Sequence, residues 1–177
     1  MQYLKFTHTD AVTGVPVSHA AASNGVAFPA VAGLEFVFAL ESEYPTLAPT
    51  MFGTAPDASA TDAHGVLAVL TEIEFQQAKD AEDAARRATQ LRRMVDAVQQ
   101  HMDSTAAQRN YDGIQSAALR AALPNSPFHA EGVAYGEWMD ACWARCYQIM
   151  AEVEAGQRAQ PTADELLAEL PELVMPA

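Results

Sequence analysis

The chain has 177 residues, half of them apolar and 19% charged, with a formal net charge of −13. That composition supplies a core for one ordinary domain or two small ones and excludes wholesale disorder. So acidic a chain repels phosphate backbones, which sets nucleic-acid binding aside unless a local basic patch exists. The one basic run, RRATQLRR, carries Arg86, Arg87, Arg92 and Arg93, but it sits among Asp80, Glu82, Asp83 and Asp96, the mixed pattern of a solvated helix face. No apolar run approaches the roughly 20 residues of a membrane span. The start, MQYLKFTHTD, lacks the charged-then-apolar layout of a secretory signal, so the chain reads as cytosolic at synthesis.

Residues 1–71 read as a small, loop-rich antiparallel β domain. YLKF (3–6) and LEFVFAL (34–40) are short runs of aromatic and β-branched residues. Strict alternation would put Leu34, Phe36, Phe38 and Leu40 on one face of the second run, and Glu35, Val37 and Ala39 on the other. GVLAVLT (65–71) is a third apolar run, compatible with strand or helix. Between them TGVP, SNG, YPTLAPT and APDASATDAHG carry turn chemistry.

Composition changes at Thr71, after which neither Gly nor Pro occurs up to Gln108. TEIE places Thr71 and Glu74 in capping-box spacing, so a long helix is expected over 72–108. Ala81, Ala84, Ala88, Leu91, Val95, Val98 and Met102 recur at alternating steps of three and four, an a/d seam of about three heptads. Its alanines allow close approach but bury little area. The seam is suited to flank another helix or another subunit.

Residues 109–177 read as an all-α module. YDGIQSAALRAAL is a short helix stopped by Pro124. Ser126 and Pro127 suit the N-cap and first position of a helix running to about Ala155, with Gly156 at its C-terminal end. Thr162 and Glu165 again stand in capping-box spacing, and Pro171 stops the last helix. The fold class expected is therefore α+β: an N-terminal antiparallel sheet, a long connecting helix and a C-terminal helical module.

Both cysteines and both tryptophans lie in EWMDACWARCYQI. Trp138, Met139, Cys142, Trp143, Cys146, Ile149 and Val153 mark this helix as the C-terminal core, with the cysteines inside an apolar stripe where free thiols act as small hydrophobes. A reactive thiol and a metal site are the competing readings. Only His101 and His129 stand ready to help ligate, and no second ligand pair has zinc spacing. His8, His19 and His64 lie near Ser18, Ser23 and Asp62, but no nucleophile elbow, phosphate loop, dinucleotide fingerprint or calcium loop is present. The residues point to no enzyme, cofactor or metal.

The C-terminal third resembles a segment of small tail-region proteins of tailed bacteriophages. The resemblance rests on Arg109, Tyr111, Asp112 and Ile114, then Phe128, Ala130, Glu131 and Gly132, then Trp143, Cys146 and Tyr147, and finally Pro161, Thr162, Leu170 and Pro171. The chain departs from the pattern at Met139, where an arginine is more usual. The resemblance implies a non-enzymatic virion protein of the tail or tail-fibre region, or a tail-fibre assembly chaperone absent from the finished particle. It implies a tail or tail-fibre protein as partner, and a location in the host cytoplasm during assembly and then in the virion tail. Because such assemblies are symmetric, often threefold, it also implies a homo-oligomer along the seam, a trimer ahead of a dimer.

Overall fold

A computed structural model describes residues 1–10, 13–17, 29, 31–43, 49–56 and 64–176. The architecture is α+β: an antiparallel sheet, then a long helix, then further helices. The strands are β1 (Gln2–Phe6), β2 (Glu35–Ala39), β3 (Met51–Ala55) and β4 (Val66–Leu70), in the spatial order β2-β3-β1-β4 with every pair antiparallel. The helices are α1 (Glu72–Ala107), α2 (Ile114–Ala118), α3 (His129–Glu154) and α4 (Ala163–Ala168). None of them is long and apolar enough to cross a membrane. The turn segments SNG and most of YPTLAPT and APDASATDAHG fall outside the described residues.

The chain divides into two compact units, Met1–Ala88 and Thr89–Ala177. The borders expected from the sequence lie at 71 and 108; α1 contributes residues to both units.

In the first unit the sheet has two apolar faces. Leu4, Phe6, Met51, Ala55 and Ala39 pack with Val31 and Leu34 on one face. Phe38 and Phe52 stack on the other, at 4.5 Å between centroids, and Phe75 of α1 meets both edge-on. The alternation expected for β2 fails at Val37. The register slips between Phe36 and Phe38, so that Phe36 pairs with Gly53 while Phe38 pairs with Phe52. An inserted residue moves every side chain beyond it to the opposite face. Phe38 is therefore buried against α1, whereas Phe36 stays half exposed.

The start of α1 follows its capping box. Glu74 N–H donates to Thr71 Oγ1 at 3.2 Å, and Thr71 N–H donates back to Glu74 Oε2 at 2.8 Å. Phe75, Ala78 and Glu82 turn toward the sheet. Glu82 is buried, accepting from the Glu41 N–H at 2.9 Å and from Arg86 Nε at 3.1 Å. Every residue from Ala84 to Arg93 is exposed.

In the second unit Val98, Met102 and Ala106 of α1 join Ile114, Ala117, Tyr135, Trp138, Cys142, Cys146, Ile149, Leu166 and Leu170 in one core. Beyond the end of α1, Asn110 adopts a φ of 62°, which lets the Tyr111 N–H reach the Ala106 carbonyl at 3.3 Å. Asp103 Oδ1 then accepts from the Ile114 N–H at 2.8 Å, capping α2 from the preceding helix. α3 begins two residues later than Pro127 suggested. Ser126 does not cap it but closes the turn before it, accepting from the Phe128 and His129 N–H groups. At the other end Gly156 adopts φ 67°, and the Gly156 and Gln157 N–H groups return to the Val153 and Glu152 carbonyls. Thr162 and Glu165 form the reciprocal cap of α4, at 2.8 and 3.3 Å.

Candidate interaction sites and the buried cysteines

The cysteines sit where the apolar stripe put them. Cys142 is fully buried and Cys146 nearly so, alongside Trp138 and Ile149, with Met139, Trp143 and Val153 packed against them. Burial, with Cys146 one turn away, pushes the Cys142 thiol up to about 11. Burial also raises Cys146. Both thiols stay protonated at neutral pH, the state in which a thiol is neither nucleophile nor metal ligand. His101 faces the Trp138 ring at 5.8 Å between centroids, and His129 opens α3. Among the described residues no group of three His, Cys, Asp or Glu side chains is gathered for a metal ion. His8 is buried and His64 exposed, while His19, Ser18, Ser23 and Asp62 lie outside the described residues.

The heptad seam does not form one surface. Val98 and Met102 are fully buried in the core of the second unit. Ala81, Ala84 and Ala88 are exposed, and Leu91 and Val95 are 41% and 42% exposed. Side chains already covered within their own chain cannot also line a shared contact. The expectation of a subunit interface running through Leu91, Val95, Val98 and Met102 together is corrected on that ground.

Several residues of the phage-tail resemblance lie at junctions of the second unit, whereas Phe128 and Tyr147 are exposed. Arg109 pairs with Glu131 at 3.1 Å, and Tyr111 Oη donates to the same carboxylate at 3.2 Å. The Tyr111 ring meets fully buried Tyr135 edge-on, and the Arg120 guanidinium lies 5.9 Å from the Tyr111 centroid. Gly132 lets the turn Leu119–Ala122 cross α3 at backbone contact. Ile114, Cys146, Pro161 and Leu170 are buried. The carbonyl of Pro171 accepts from Trp138 Nε1 at 2.7 Å. Apart from Phe128 and Tyr147, each of these groups is engaged in holding helices together.

Sequence reasoning missed one polar cluster. Arg158 binds Glu169 at 2.6 Å and Glu152 at 3.5 Å, and Arg145 reaches the same two carboxylates. Hydrogen bonds from Arg158 and then Arg145 hold Glu169 down to about 2. The seven-residue step from Arg145 to Glu152 on one helix was the only local signal. Beside the cluster lies an open depression of about 410 Å³, lined by Ala141, Ala144, Arg145, Gln148, Glu169 and Pro171. Its arginine and glutamate are already paired with each other, which leaves Gln148 and small apolar surface facing outward.

Exposed apolar side chains are more prominent than any polar pocket. The first unit presents Phe36, Val37, Leu67, Val69 and Ile73; the second presents Leu119, Leu123, Phe128 and Tyr147. Such groups serve contacts between proteins more readily than catalysis. No known protein family, curated protein or solved structure matches the chain.

Proposed function

We propose that this protein is a non-enzymatic component of the tail or tail-fibre region of a tailed bacteriophage. It would act in attachment or assembly through contacts with a tail or tail-fibre protein and with copies of itself. One observation supports the reading. Several of the residues through which the chain resembles tail-region proteins hold its helices together, the Arg109–Tyr111–Glu131 junction and the Gly132 crossing among them, while Phe128 and Tyr147 are exposed. A pattern that specifies a scaffold fits a structural protein better than it fits an active site. The buried, protonated thiols and the internally paired arginines agree with that.

Quantitative mass spectrometry of purified particles tests the proposal. Presence at a fixed stoichiometry supports a virion component. Absence from particles whose fibres fail to assemble when the gene is deleted supports the chaperone role. If the chain is absent from particles and its deletion leaves assembly unchanged, the proposal is wrong.

A further inference from the structure

The acidic residues around the arginines of α1 do not neutralise them. Asp80 accepts from Gln76 Nε2 at 2.8 Å, Asp83 pairs with Lys79 at 3.0 Å, and buried Glu82 pairs with Arg86 at 3.1 Å. Among the described residues Arg87, Arg92 and Arg93 form no ion pair, with Asp96 or any other carboxylate. Ala84–Arg93 thus holds four of the ten basic residues and no acidic one, in a molecule of net charge −13. The heptad spacing places two of these arginines. Ala84, Ala88, Leu91 and Val95 share one face of α1, Arg87 stands at position g and Arg92 at position e, and these two border that face on either side. The same face is buried in the chain's own core at Val98 and Met102, but every member from Ala84 to Val95 is exposed.

We propose that this face of α1 docks one acidic amphipathic helix of a partner protein. Aliphatic side chains of that helix would meet Leu91 and Val95, and its carboxylates would meet Arg87 and Arg92. Border charges of this kind choose the partner in helix pairs. A second copy of the chain is the wrong occupant. In parallel register position g of one helix faces position e of the next heptad in its neighbour, so Arg87 would meet Arg92 at each border, in a dimer or a trimer. An antiparallel overlap of the same segment offers no carboxylate to either border. Nucleic acid supplies negative charge but nothing for the leucine and valine between the arginines, and the acidic remainder of the chain repels it. The inference stands independently of the phage reading.

Calorimetric titration of the full chain with a synthetic four-heptad peptide tests this, the peptide carrying leucine at a and d and glutamate at e and g. At low salt it should bind with a Kd on the order of 100 μM or tighter, although net charge alone would repel it. Arg92→Glu should weaken binding by at least about fivefold, whereas Arg93→Glu, the same change on the opposite side of the helix, should alter it by less than about twofold. Leu91→Asp should weaken binding by at least about tenfold with both bordering arginines in place. All three positions are exposed, so the circular dichroism of the variants should match the wild type. Failure of the peptide to bind, or equal losses in Arg92→Glu and Arg93→Glu, would overturn the proposal. So would undiminished binding by Leu91→Asp, or tighter binding of a DNA duplex than of the peptide, since either marks a purely electrostatic surface. Wild-type self-association in sedimentation equilibrium that Leu91→Asp abolishes would assign the face to a second copy and overturn it equally.

Discussion

Two glycines one turn apart on α3 make a sharp test of how the second unit is packed. Gly132 and Gly136 both occupy helical positions, where alanine is favoured by up to about 1 kcal/mol. A Cβ at Gly136 would meet nothing within 4 Å, so Gly136→Ala should stabilise the protein by about 0.5–1 kcal/mol. A Cβ at Gly132 would lie 2.2 Å from the Ala121 nitrogen and 2.6 Å from the Arg120 carbonyl carbon. Those obstacles are main chain and cannot rotate aside. Relief requires the turn Leu119–Ala122 to retreat by roughly 1 Å, loosening contacts that depend on close approach. Overpacking of this kind costs about 1–3 kcal/mol, with the upper end expected against backbone. After the propensity gain, Gly132→Ala should destabilise by about 2 kcal/mol. Urea unfolding followed by circular dichroism should show the midpoints of the two variants moving in opposite directions at constant slope. Equal stabilisation by both alanines would refute the close crossing.

Cys142→Ala should cost on the order of 1 kcal/mol, the loss of a small buried group, and native Cys142 should react with thiol reagents only after unfolding; stoichiometric zinc lost on this substitution would contradict the packing role. Glu169 is depressed in the folded state, so its contribution to stability is complete above the unfolded carboxylate range, near pH 4.5, and is lost as pH falls through about 2. The difference in melting temperature between wild type and Glu169→Gln should shrink over that window; a difference that grew toward acid would show the sign to be wrong. Met102→Ala should cost about 2–5 kcal/mol, whereas Leu91→Asp should stay within about 0.5 kcal/mol, measured by chemical denaturation. Comparable losses at both positions would mean that the seam is buried as one surface.

Local signals were legible in the sequence and distant ones were not. Both Thr-x-x-Glu caps and the Gly156 terminus are written within a few consecutive residues, and the structure places them as expected. The apolar stripe through Cys142 and Cys146 was equally readable, because a helix that covers a core repeats with its own period. β2 misled because alternation assumes an unbroken ladder, and the bulge at Val37 leaves no compositional mark. Ser126 and Pro127 form a plausible cap, yet the chain uses them for the turn ahead of α3. The ion-pair cluster joins residues 145, 152, 158 and 169 from separate segments, so no periodicity announces it.

The heptad seam of α1 is the most instructive misreading, because its period is real and its cause is different. Phe75, Ala78 and Glu82 face the sheet, while Val98, Met102 and Ala106 face the helical core. Of the seam itself only Val98 and Met102 belong to either set, and Ala81, Ala84, Ala88, Leu91 and Val95 are exposed. Between the two sets Ala84–Arg93 is exposed at every position, yet it remains helical. Nucleation is the costly step of helix formation and propagation is cheap, so ends fixed by Phe75 and Val98 need only good helix formers between them. The segment AARRATQLRR supplies mostly these: alanine, arginine, leucine and glutamine. Propensity then accounts for Ala84 and Ala88 being helical without any packing inside the chain.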